Sequence, residues 1–271
     1  MKRASLLFIV LVLLVPLLLV SCEAMFTTNI FGKLTHPTPS VADMQTKTPA
    51  EMEDYISSTQ NLNQLADDPA LKAAALGNMA AVYSVGNTSV DQQRAAVVAA
   101  NIAIMTVPDA VDLSGSILSA LTGGTTLASG SPTDVASFIR NVLPADIKGS
   151  VSPGAAMPAG FSAMIQAYQQ ADSAYQALGA GVGTDGGYAP GLDLSSSEKA
   201  DIAVNAVIAG LIGSVTPSGS LSIADALWSA LIDPTSAGSY IVGTASTFSA
   251  LTGAGPVANL VGQTSLGSMF N

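Results

Sequence analysis

The chain has 271 residues, of which 49% are hydrophobic and only 10% charged, and its 9 basic and 19 acidic side chains leave a net charge of −10. That balance excludes a nucleic-acid binder, which needs a basic patch, and the aliphatic content excludes a disordered chain. Charge this sparse, against about a quarter in ordinary soluble domains, predicts an alanine-rich aliphatic core in which helices approach closely.

The first residues, Met1-Lys2-Arg3, are basic, and the stretch "ASLLFIVLVLLVPLLLVS" over 4–21 has no charge. A basic start, an apolar run and small residues at its end read as a secretory signal. A membrane-spanning helix needs about 17 to 25 apolar residues. The strictly apolar part, Leu6 to Val20, is shorter and is interrupted by Pro16, and Glu23 follows it without a basic cluster. Residues 1–21 are therefore expected to be cleaved.

The only cysteine, Cys22, stands where that run ends. Leu19-Val20-Ser21-Cys22 resembles the lipobox of bacterial lipoproteins, and the resemblance covers only these first 22 residues. It implies that Cys22 receives a diacylglycerol on sulfur and becomes the new N-terminus, often with a further acyl chain. A lone thiol has no partner for an internal disulfide, and lipidation would protect it in an oxidising compartment. Two or more acyl chains hold stably at a membrane, at about 0.8 kcal/mol per buried CH₂. Loss of Lys2 and Arg3 leaves seven basic against 19 acidic side chains, a charge of −12. Attachment is then expected through the lipid and not through headgroup charge. The expected location is the bacterial cell envelope. Because Glu23 and not Asp follows the cysteine, the periplasmic face of the outer membrane is favoured over the inner membrane.

Residues 22–47 read as the lipidated N-terminus and a tether, with Pro37-Thr38-Pro39 and no sustained period. The single histidine, His36, falls there, without the partners that catalysis or metal binding requires. From residue 48 to 271 the signals are helical throughout. Thr48-Pro49-Ala50-Glu51 is a capping box with proline at the first helical position, predicting a helix to about Leu65. Asp68-Pro69, Ser89 and Pro108-Asp109 open three more, ending near Val85, Thr106 and Gly123. Ser131-Pro132 opens a fifth, to Val142. A Pro/Gly-rich stretch crosses 143–160, a helix is expected over 161–178, and "GAGVGTDGGYAPGLDL" (179–194) reads as a long loop. Ser195 to Glu198 is another capping box, leading to about Ile212. Residues 221–231 are helical, and the tail from Ser239 holds two weak apolar segments. Alternation of the kind strands need is missing. The expected fold is all-α, a helical bundle or a helical-hairpin, TPR-like array.

"VAANIAIM" (98–105) and "IAVNAVIA" (202–209) are similar, and each follows a tyrosine-bearing helix and precedes a short one. An internal duplication with halves at 69–142 and 161–232 is one reading. Both Asn-centred helices are apolar nearly all round, so they are expected at the centre of the core. There an unpaired amide costs roughly 1–3 kcal/mol, so Asn101 and Asn205 are expected to bond to each other or to cap nearby backbone. A polar ligand at the centre is the functional alternative.

With His36 in the tether and Cys22 lipidated, Ser-His, Cys-His and His-metal sites are out of reach. The densest acidic spots, Glu51-Glu53-Asp54, Asp67-Asp68 and Asp109/Asp112, lie at helix starts, where negative charge suits the macrodipole. The glycine-rich 179–187 lacks the Gly-Lys-Ser/Thr of a phosphate loop and the spaced carboxylates of a calcium loop, so it reads as a flexible connector. Tyr168 and Tyr175 share one helix face and, with Trp228, either line an apolar groove or pack in the core. The expected function is non-enzymatic: a membrane-anchored lipoprotein whose helical domain binds a partner protein or an apolar small ligand, as a transport or assembly accessory. No cofactor and no metal are expected. The alternatives are an envelope hydrolase using carboxylates only, and a structural spacer.

Overall fold

Side-chain caps open six of the described α-helices. The structure, a computed structural model, describes residues 39–122, 131–243 and 254–264. The signal, Cys22 and His36 lie outside the described residues. Thirteen α-helices occur among those described. The first four are α1 (Val41–Thr46), α2 (Pro49–Ile56), α3 (Thr59–Asp67) and α4 (Pro69–Tyr83). They lead to α5 (Val90–Met105), α6 (Pro108–Thr122), α7 (Pro132–Val142) and the short α8 (Ala145–Gly149). The long α9 (Ala159–Asp185) is followed by α10 (Ser196–Gly213), α11 (Ile223–Ile232), α12 (Ala237–Tyr240) and α13 (Pro256–Gly262). Strand β1 (Thr216–Pro217) pairs antiparallel with β2 (Ile241–Gly243), placing Thr216 opposite Gly243.

Capping boxes open α2, α5 and α10 at Thr48/Glu51, Ser89/Gln92 and Ser195/Glu198. In each, the cap hydroxyl accepts an orphan backbone N–H while the side chain three residues on accepts the cap's own. These bonds hold the Glu51 and Glu198 carboxyls below their ordinary range. Asp68 caps α4 by accepting from the Ala70 and Leu71 N–H groups at 3.0 and 3.1 Å.

The core forms around α9, which packs against α4, α5, α6, α10, α11 and α13. One helix touching so many others makes a bundle, since in a hairpin array each unit meets only its neighbours. As expected, α5 and α10 are buried on nearly all faces, with Ala95 to Ala100 and Ile202 to Val204 in the interior. Their alanines let neighbouring helices close in, and Gln93 is the one fully buried polar side chain on α5. No single described helix is long and apolar enough to cross a membrane; α5 and residues 108–120 of α6 pass that test only together, and they meet at 104°.

Four boundaries differ from the sequence expectations. Residues 41–46, read as tether, form α1, and Met44 is fully buried. A long-range bond does this: the Asn78 amide donates to the Met44 and Lys47 carbonyls at 2.8 and 2.7 Å. The helix expected over 48–65 breaks at Ser57-Ser58. There the Ser57 hydroxyl takes the Asp54 carbonyl (2.7 Å) and the Asn61 amide takes that of Tyr55 (2.8 Å), which diverts the backbone from continuing. The Pro/Gly-rich 143–160 contains α8.

The largest correction concerns "GAGVGTD". It is not a flexible connector but the last two turns of α9, which closes only at Gly186 in the left-handed conformation (φ 69°). Its glycines are contact surfaces. A Cβ on Gly179 would run into the Pro256 backbone and one on Gly183 into the Asn259 side chain, both on α13, while one on Gly181 would strike the Asn87 carbonyl. The Asn259 amide donates to the Gly179 carbonyl at 2.9 Å, fixing the approach.

Candidate functional site

The residues singled out by sequence fall into a buried polar knot and the aliphatic core around it. Ser114 of α6, Tyr168 of α9 and Asn205 of α10 converge where these three helices cross. The Tyr168 hydroxyl donates to the Ala110 carbonyl at 2.8 Å. The Ser114 hydroxyl lies 2.7 Å from it and donates to the Asn205 carboxamide oxygen at 2.5 Å. Among the described residues no hydrogen bond joins Asn101 to Asn205, and both side chains are half-buried. The direct pairing of the two asparagines is therefore corrected: Asn205 pays its amide's desolvation through Ser114 and Tyr168 instead.

Burial drives the Tyr168 phenol far above its ordinary range, so it stays a neutral donor. Tyr175 is raised in the same way, and its hydroxyl lies beside Asn205 outside good hydrogen-bonding geometry. Tyr188, on the turn after α9, is pushed up to about 12 by burial. The Gln93 side-chain oxygen accepts from the Ala189 N–H at 2.8 Å and ties that turn to α5.

Tyr168, Tyr175 and Trp228 are 0, 1 and 4% exposed. The reading of these three as an open apolar groove is thus corrected to core packing. Trp228 lies against Phe161, ring centroids 5.2 Å apart, and its indole N–H donates to the Ala155 carbonyl at 3.0 Å. Aromatic stripes at helical spacing are more often core than groove.

A concavity among the described residues lies elsewhere. An open groove of about 1100 Å³ runs between the outer face of α6 and the α7–α8 corner. On α6, Ala110, Leu113 and Ile117 point inward, leaving Val111, Asp112, Gly115, Ser116 and Ser119 to line the groove. Opposite stand Asn141, Val142 and the Pro144-Ala145-Asp146 start of α8. Pro144 turns the chain after α7, and the Lys148 ammonium donates to the Asn141 carbonyl at 3.0 Å, holding α8 against the end of α7. Asp109 packs over Gly160 in the first turn of α9. Partial burial, then the charges of Asp146 and Asp112, push its carboxyl above the ordinary range. Three aspartates from two helix starts thus share one region.

Asp109 and Asp112 were visible in the sequence as an acidic spot; Asp146 was not, because it sits in a Pro/Gly-rich stretch that reads as a loop. Among the described residues no group of three or more His, Cys, Asp or Glu side chains is placed to hold a metal ion. The class defined by these features is an all-α bundle with an acidic surface groove. No family model matches the chain, and neither a curated protein nor a solved structure is similar to it.

Proposed function

We propose that the chain is a bacterial lipoprotein, anchored in the cell envelope through lipidated Cys22, whose helical body binds a partner protein without catalysing a reaction. The observation that carries this reading is Leu19-Val20-Ser21-Cys22, with the only cysteine of the chain at the end of its apolar run. Acyl chains hold such a protein to a bilayer despite a body of charge −12. The groove beside α6 supports the partner-binding part, because its open shape and carboxylates suit a protein segment better than an apolar ligand.

The test is Cys22→Ser expressed in a bacterial host. The parent should enter the detergent phase and yield an N-terminal peptide carrying the mass of a diacylglycerol and acyl group. The variant should stay in the aqueous phase. Full detergent partitioning of the variant, or a parent chain with a free sulfur at Cys22, would overturn the anchor.

A further inference from the structure

The groove beside α6 is specific enough in its chemistry to name what it would take. Its floor is apolar, from Val142 and Pro144, with Val111 (44% exposed) at its edge. Its α6 wall is lowered by Gly115, Ser116 and Ser119, which brings the helix backbone within reach of another chain. Two carboxylates, Asp112 and Asp146, line it, and Asp109 stands close enough for their charges to act on it. No lysine or arginine lines the groove among the described residues, and Lys148 is engaged with the Asn141 carbonyl. Unneutralised carboxylates around an apolar floor are complementary to an occupant that is apolar on one side and cationic at its flanks. From Val111 to Ala120 the wall extends about 14 Å, the length of some ten helical residues.

We propose that this groove seats a basic amphipathic helix of a partner protein, with its apolar face on Val142 and Pro144 beside the small-residue Gly115–Ser119 wall and its Lys or Arg flanks on Asp112 and Asp146. The inference rests on the partner-binding reading above. A larger cationic segment gains twice from this arrangement: the apolar face leaves water, and the mutual repulsion of the three aspartates is relieved.

The test is protection of a thiol placed in the groove. G115C puts one on an exposed position where a Cβ meets nothing within 4 Å, and G77C does the same on α4 as a remote control. The full chain, in a nonionic detergent, is alkylated with a maleimide in the presence of two peptides. One is two repeats of Lys-Leu-Ala-Lys-Leu-Ala-Lys; the other has Glu for Lys. Labelling is read by mass on the peptide holding residue 115 or 77, so the result does not depend on the state of Cys22. A failed groove therefore cannot be confused with a failed anchor. The lysine peptide should slow alkylation of G115C about tenfold, leave G77C unchanged, and lose its effect when D112N and D146N are added. Equal slowing at both thiols would mean diffuse adsorption to an acidic protein and would overturn the proposal. Protection by the glutamate peptide, protection that survives D112N/D146N, or no protection at all would do the same.

Discussion

At the scale of single residues, Asn205 and Asn101 separate although their surroundings in sequence look alike. Asn101 comes twelve residues after the capping Ser89, Asn205 ten after Ser195. Two residues turn a helix by about 200°, so the two amides face different ways from similarly started helices. Only Asn205 meets Ser114 and Tyr168. Tyr168→Phe should therefore destabilise by about 1–2 kcal/mol, because the Ala110 carbonyl and the Ser114–Asn205 pair lose a buried donor. Asn101→Leu should change stability by less than about 0.5 kcal/mol, because the bonds of the knot go to Asn205 and not to Asn101. Urea unfolding of the two variants decides it; equal losses would show that Asn101 shares the knot.

At the scale of elements, the end of α9 is held by absence of side chains. Gly179→Ala places a methyl against the Pro256 backbone, which no rotamer can relieve. It should cost about 1–3 kcal/mol, as overpacking does, and should expose α13 to proteolysis. Gly77→Ala, on the open face of α4, should instead stabilise by about 0.5–1 kcal/mol through helix propensity alone. Limited proteolysis with thermal melts separates the two effects. If both substitutions behave alike, the glycines of α9 are not packing contacts.

At the scale of the whole molecule, burial of carboxylates by helix packing ties stability to pH. Asp172 of α9 packs over Gly213 of α10, half-buried, and accepts from the Gln176 amide at 3.2 Å. Burial raises its carboxyl above 3.8. A raised acid holds its proton more tightly folded than unfolded, so its contribution is intact below 3.8 and is lost as pH rises through the raised value. Asp109 and Asp201 act with the same sign. The capping Glu51 and Glu198 oppose them, losing stability as pH falls below 4.5. Asp172→Asn should raise the melting temperature at about pH 7, where the parent carries the buried charge, and the gain should vanish by about pH 3.5. A gain that does not change with pH would remove Asp172 as its source.

The helical class and most helix starts were legible from short spans, because a cap and its proline lie within four residues of one another and need nothing distant. Thr48, Asp68, Ser89, Ser131 and Ser195 all cap the helices their neighbours announce. What remained hidden depends on residues far apart in the chain: α1 forms because Asn78 reaches back to Met44, and the glycines of 179–183 are helical because α13 lies on them. The groove belongs to the same class, since Asp146 joins Asp112 only after α7 and α8 fold back beside α6. Local backbone chemistry thus determined where helices start, whereas the tertiary structure alone decided which polar groups are buried together and which face is left open, because those outcomes depend on contacts between helices that local sequence does not encode.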